Sequence, residues 1–330
     1  MIAYLFALVA VLISTLWGAC SIYFGDSHTG GLQQVLALFF GLIGCVTAIG
    51  LLAGQWRRSL LTVYFIGLSG ILIWWLNIAP SNDRQWQADA QHLAHASFVG
   101  NLVTVHNIRN FSYKSEFDYQ PNYYDKTFDL NKLEGIDLFS VYWMGPAFAH
   151  TILSFHFAGD DYLAVSIEAR KEIGEGYSTV KGFFRQYELI YVVADERDVI
   201  GLRANHRNNP PEHVYWYRLQ GSHQNAKNLF LEYMNKINQL NEQPTFYNTL
   251  LDNCTTAIWW RTRVNAEHLP FSWKVLLSGY LPEYLYETGH LDNGKPFDEL
   301  QKRALINDLA HAADHRSDFS TRIRTVEQQI

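Results

Sequence analysis

Cysteine is scarce in this sequence, three in 330 residues, and that scarcity excludes a disulfide-built fold. Cys20 and Cys45 lie in apolar stretches suited to lipid, so Cys254 is the single thiol of the polar part and has no partner there to bridge. Basic runs are missing as well. The chain carries 26 Lys and Arg against 32 Asp and Glu, a formal charge of -6, with no cluster of cations to displace the counterions of a phosphate backbone. Nucleic acid is thereby excluded as a partner. Neither a Gly-rich phosphate loop nor a Gly-x-Ser-x-Gly elbow is present, which argues against a nucleotide site and an elbow-type serine hydrolase. The thirteen histidines are scattered. His92 with His95, and His311 with His315, have helix-compatible spacing but no accompanying carboxylate motif, so neither a metal nor a soluble cofactor is expected.

Charge is absent from three long stretches: Met1 to Phe24, Val35 to Gly54, and Ser59 to Pro80. Each is long enough to cross about 30 Å of hydrocarbon as a helix. The first has no basic start and two more follow it, so it reads as a retained span and not as a cleaved signal. Orientation follows from the linkers. Gln55-Trp56-Arg57-Arg58 carries two cations, whereas the loop from Gly25 to Gly31 holds Asp26 and His28 but no Lys or Arg. Positive charge stays inside. The amino terminus and the Arg57–Arg58 loop are therefore expected in the cytoplasm, and everything after Pro80 outside. Residues 1–80 form a three-helix transmembrane anchor, and 81–330 one extracytoplasmic domain.

A polar stretch from about Asn82 to Ala96 reads as helical. From Gly100 to Tyr113 apolar and polar residues alternate as in a half-buried strand, and an aromatic, turn-rich segment follows. Strand patterns recur at Ala149 to Phe157, Tyr162 to Lys171, Leu189 to Ala194 and Val214 to Leu219. Ala158-Gly159-Asp160-Asp161 reads as the hairpin turn between the first two. Helices are expected over Ser222 to Leu240, from Asn253 through Arg263, and beyond Pro282. The fold class is α+β, with a central antiparallel sheet and flanking helices.

Cys254 opens one of these helices, behind Asp252-Asn253. Unpaired amides at a helix start favour a thiolate and, later, an oxyanion on a bound carbonyl. Asp252 or Asn253 serves as the cap, and the first-turn amides of Asn253 and Thr255 are the expected oxyanion donors. A base is also required. His150, opening the strand Ala149-His150-Thr151-Ile152, is the best placed, and His156 on the same strand competes. The partner strand offers Ser166, Glu168 and Arg170 to orient the imidazole, and Glu168 is the choice. Folding the hairpin about Gly159 and Asp160 sets Glu168 opposite Thr151, one position from facing His150. Glu168 and Arg170 have an alternative as an ion pair on one strand face. Arg109 and Arg170 are candidates for positioning substrate, while Asn107, Arg185 and Tyr187 either hold a head group or cap strands. A buried structural thiol is the alternative for Cys254, as a structural strand-end histidine is for His150.

The stretches Val103 to Arg109, Trp143 to Phe157, Ser166 to Glu172, and Asp252-Asn253-Cys254-Thr255-Thr256 resemble the Lnb N-terminal periplasmic domain family. Their order, histidine on a strand and then cysteine opening a later helix, is also similar to lecithin:retinol acyltransferase and to permuted NlpC-type cysteine peptidases. The resemblance implies a Cys and His pair, which maps to Cys254 and His150, in a permuted papain-like domain on the periplasmic side of a bacterial inner membrane. It further implies lipoprotein transacylase chemistry through an acyl-thioester, with membrane lipids or lipoproteins as substrate. An apolar pocket would suit lipid, and an open polar groove would suit a cell-wall amidase of the NlpC kind. A non-enzymatic envelope protein that binds lipid through its aromatic segments is the reading from a different class, and it expects Cys254 and His150 to face away from one another.

Overall fold

The computed structural model describes residues 2–25 and 31–325. Asp26 and His28, on which the expected orientation partly rests, lie outside the described residues. The chain divides into two compact units: Met1–Ser81 with Gly176–Glu188 and Phe246–Thr249, and Asn82–Glu175 with Leu189–Thr245 and Leu250–Ile330.

The first unit holds three helices long and apolar enough to span a bilayer: α1 (Ile2–Phe24), α2 (Gly31–Ala53) and α3 (Arg57–Asn77). Cys20 and Cys45 sit in α1 and α2 as expected. A polar hydroxyl joins the bundle. Tyr64, fully buried, places its hydroxyl 2.7 Å from Ser14 Oγ and donates to the Val11 carbonyl at 3.2 Å. Its ring stacks on Phe40 at 5.6 Å. A hydroxyl in hydrocarbon needs such partners, and meeting them across helices helps fix the packing. Arg185 and Tyr187 are structural here: Arg185 donates to the Trp75 carbonyl at 2.6 Å, and Tyr187 to that of Gly176 at 2.6 Å.

The second unit is built on a sheet. Its strands are β1 (His95–Val99), β2 (Leu102–Arg109), β3 (Ser112–Tyr113), β4 (Tyr119–Gln120), β5 (Tyr123–Asp129), β6 (Leu133–Tyr142), β7 (His150–Phe157), β8 (Asp161–Arg170), β9 (Glu188–Ala194) and β10 (His213–Arg218). The helices are α4 (Glu196–Gly201), α5 (His223–Glu242), α6 (Cys254–Thr262), α7 (Trp273–Leu276), α8 (Leu281–Glu287), α9 (Phe297–Ala304), α10 (Asn307–Ala312) and α11 (Phe319–Arg322). The main sheet runs β1-β2-β9-β8-β7-β6-β10, with β5 also paired to β2. The α+β class is as expected. The sheet is mixed and not purely antiparallel, because β2 and β9 run parallel where Arg109 meets Ala194.

Two expectations fail for physical reasons. Residues 82–96 form no long helix, only a 3-10 turn at Ala88–Ala90 before β1. The Arg170 guanidinium takes the carbonyls of Ala90 at 3.0 Å and Gln91 at 3.1 Å, groups that a helix would spend on its own amides four residues on. The aromatic segment after Tyr113 is not mainly turn, because β5 and β6 run through it. From Ile136 to Tyr142 every residue of β6 is buried, so no alternation marks it in the sequence.

The faces of the sheet separate the site. Odd-numbered side chains of β7 meet α5 and α6, as in the ring contact of Phe155 with Phe230 at 5.1 Å. Even-numbered ones point the other way, where Ile152 joins Ala164, Val192 and Trp216 in a core closed by Ile306, Ala310, Phe319 and Ile323. The period of two in a strand makes this split obligatory.

Candidate functional site

Helix α6 begins with a complete capping box. Asn253 Oδ1 accepts from the amides of Thr255 and Thr256, both at 2.9 Å, and the Asn253 amide donates to Thr256 Oγ1 at 3.0 Å. This corrects the expected oxyanion donors. The amides of Asn253 and Thr255 are already taken, and among the described residues it is the amide of Cys254 itself that no cap atom uses. Asn253→Ala is expected to cost about 1–2 kcal/mol, since one substitution frees two amides; a denaturant midpoint unchanged from wild type would contradict the box.

The thiol is half-buried, and Cys254 Sγ lies 3.7 Å from Thr255 Oγ1. Thr255 in turn meets Thr151 of β7, hydroxyl to hydroxyl, at 3.0 Å, both fully buried. This bond joins the residue after His150 to the residue after Cys254 across 104 positions of chain. The structure thus brings together the two elements that carry the expected pair. It does not join the side chains in a hydrogen bond. Thr151 is turned toward α6, and its neighbour His150 is therefore turned to the other face of β7.

There His150 Nε2 lies 2.7 Å from Ser166 Oγ, and Ser166 donates to Glu168 Oε1 at 2.7 Å. The hairpin pairs Ile152 with Ser166 through a three-residue loop, with Gly159 and Asp160 both at positive φ. Continuing that register sets Glu168 across from His150, so the one-position offset expected from the sequence is corrected and no bulge is needed. Arg203 completes the cluster. It bridges Glu168 and Glu212, each at 3.3 Å, from a single π-helical turn at Leu202–His206. Burial opposes the Glu168 carboxylate, but Arg203, helped by Arg109 and Arg207, outweighs it and holds the group well below the usual range. For His150, burial comes first and Arg203 second in pushing the pKa well below its ordinary value, against the pull of Glu168.

The sign of the pH effect follows. The folded ring stays neutral where the unfolded ring, with a pKa of about 6.5, takes a proton, so the unfolded state binds more protons and stability falls on acidification below that value. The expected slope is about 1.4 kcal/mol per pH unit. It should be reduced in His150→Gln, as read from Tm at pH 7.0 against pH 5.5; equal slopes in both proteins would refute a neutral buried ring.

The remaining candidates are structural. Arg109 is buried in a fork on Asp198, with Nη2 to Oδ1 at 2.7 Å, and Asp198 also accepts from the Phe111 amide at 2.8 Å. Arg170 is spent on Asn82, Ala90 and Gln91 and stacks on Trp86 at 4.0 Å. Both are engaged by groups of the fold, and the ion partner of Glu168 is Arg203 and not Arg170. His156 stacks on Tyr162 at 4.6 Å and lies 3.5 Å from Glu134, away from the thiol's helix. Asn107, at positive φ, donates to the Leu93 carbonyl at 3.0 Å. Among the described residues no group of three or more His, Cys, Asp or Glu could hold a metal ion.

A cleft of about 530 Å³ is lined by Tyr142, Trp143, Pro146, Pro210, Pro211 and Tyr215. Tyr142 follows Val141, the residue that pairs with His150. Thr151, Ser166 and Arg203 carry the geometry of the site. Of these the sequence pointed only to Ser166, by its period with Glu168; Thr151 and Arg203 needed the fold.

Residues 119–279 match the family model of the Lnb N-terminal periplasmic domain, just under half of the chain. The match includes His150, Ser166, Glu168, Arg203 and Cys254 and excludes Arg109. No curated protein and no solved structure matches the chain.

Proposed function

We propose that this protein is a multi-pass inner-membrane acyltransferase, with its catalytic domain on the periplasmic side and Cys254 as nucleophile toward ester groups of lipids or lipoproteins. The Thr151–Thr255 bond carries the reading, because it sets the strand of a buried, neutral imidazole against the helix start of the thiol. Cys254 Sγ and His150 face opposite sides of β7, so in this reading bound substrate must draw the thiol and the ring within reach of one another. The thiol then gives its proton to His150 and attacks the ester carbonyl. Catalytic contacts often tighten only when substrate is bound. The oxyanion rests on the Cys254 amide. The alkoxide leaves with the proton, an amine then attacks the thioester, and the acyl group moves on while the thiol is restored. Attack by water in the second step makes the same site a hydrolase. The lining of the cleft is mainly aromatic and proline, with His213 and Gln301 among it, and in this reading it favours an acyl chain over a polar cell-wall peptide.

One observation favours a second reading. His150 turns away from α6, which suits an envelope protein that binds lipid without forming a thioester. Incubation of the full chain with a diacylated lipopeptide, followed by mass spectrometry of wild type and Cys254→Ala, separates the two. Identical product masses from both proteins would sink the transferase.

A further inference from the structure

We propose that Ser166 is the positioning residue of this site: its hydroxyl, anchored on Glu168, fixes the neutral ring of His150 in the Nε2–H form and leaves Nδ1 as the basic nitrogen. The inference rests on the reading above for what Nδ1 then does.

A serine hydroxyl has one proton to give. Ser166 is fully buried and gives it to Glu168 Oε1 at 2.7 Å. The contact of 2.7 Å between Ser166 Oγ and His150 Nε2 must then run the other way, with the ring donating. The carboxylate does not orient the ring directly, since Nε2 and Glu168 Oε1 are 3.7 Å apart, beyond a hydrogen bond. The reverse arrangement, Ser166 donating to Nε2, would cost Glu168 its hydroxyl donor. It would also put a proton on Nδ1, which has no acceptor among the described residues. Arg203 locks the arrangement because it keeps Glu168 an acceptor, and it is itself held on Glu212. A serine 2.7 Å from an imidazole invites comparison with a nucleophile and its base, yet a hydroxyl closed to solvent and committed to a carboxylate cannot meet a substrate. Its role is to set the tautomer, as outer groups do for histidines generally.

The test is solid-state NMR of the full chain in liposomes with ¹⁵N-labelled histidine, the His150 signals being assigned by their loss in His150→Gln. Wild type should show a protonated Nε2 and an unprotonated Nδ1 at neutral pH. Ser166→Ala should give a mixture of tautomers, and Ser166→Thr, which keeps the hydroxyl, should restore the single form. If Ser166→Ala does not fold, the wild-type spectrum still decides. Two charge variants add opposite signs: Glu168→Gln should move the His150 titration to lower pH, and Arg203→Gln to higher pH. A wild-type ring protonated at Nδ1, or a spectrum unchanged in Ser166→Ala, would overturn the proposal. These spectra do not depend on turnover, so a correct tautomer alongside a fully active Cys254→Ala would sink the acyl-transfer reading and leave the Ser166 assignment standing.

Discussion

Cys254→Ala is expected to lower acyl transfer by about ten thousand-fold or more, as loss of a covalent nucleophile does when the rest of the site survives. No nearby group can substitute. The other two thiols, Cys20 and Cys45, belong to the spanning helices α1 and α2. Ser166 is sealed, and Thr255 is held by Thr151. The fold should survive the change. The cap of α6 is made by Asn253 and not by the thiol, and truncating a half-buried cysteine removes little packing, about 1 kcal/mol or less. Two readouts separate chemistry from folding: the product mass of the lipopeptide, and an acyl adduct on wild-type protein that hydroxylamine releases. An adduct that persists on Cys254→Ala would place the nucleophile elsewhere.

Arg324→Leu is expected to remove about 3–5 kcal/mol of stability, because it strands the Glu196 carboxylate, which has no access to water, and takes one of two arginines from Asp137. The guanidinium donates to Asp137 at 2.7 Å and to Glu196 at 2.6 Å, and it stacks on Tyr162 at 3.8 Å. Both carboxylates are fully closed to solvent. Asp137 keeps a second partner in Arg218, so Glu196 suffers most. In a unit of this size the loss corresponds to a Tm lower by about 6–20 °C. Pairing Arg324→Leu with Glu196→Gln should recover a good part of it, since the stranded charge and not the missing arginine sets the cost. A Tm within a degree or two of wild type for the single variant would show that water reaches the cluster.

The sequence was legible where a repeat in hydrophobicity reports a single environment. The uncharged runs became α1 to α3, and Ser222, the expected helix start, caps α5 through Asn225. The hairpin of β7 and β8 is where alternation and the turn residues placed it. Legibility failed where distant partners decide. Nothing local to Ala90 announces that Arg170 will claim its carbonyl and bar a helix, nor does Arg109 announce Asp198, 89 positions away. The opposed directions of His150 and Cys254 were in principle readable. Leu153 and Phe155 share the parity of Thr151, so a helix packed on that face meets Thr151 first and the histidine last. Reading both residues as chemistry hid this, because a side chain's type suggests a role while its position in a period of two dictates where it points.

The core that backs His150 is closed by Ile306, Ala310, Phe319 and Ile323, a segment distant in sequence from the strands it covers. The hairpins β6–β7 and β7–β8 join neighbouring stretches of chain, whereas the contacts of this last segment with β7 and β8 close a long loop. With that segment undocked, the core beside β7 and β8 would lie open to water. Loosening this carboxyl-terminal segment is therefore expected to unsettle the surroundings of His150 while leaving the Asn253 cap of α6 in place.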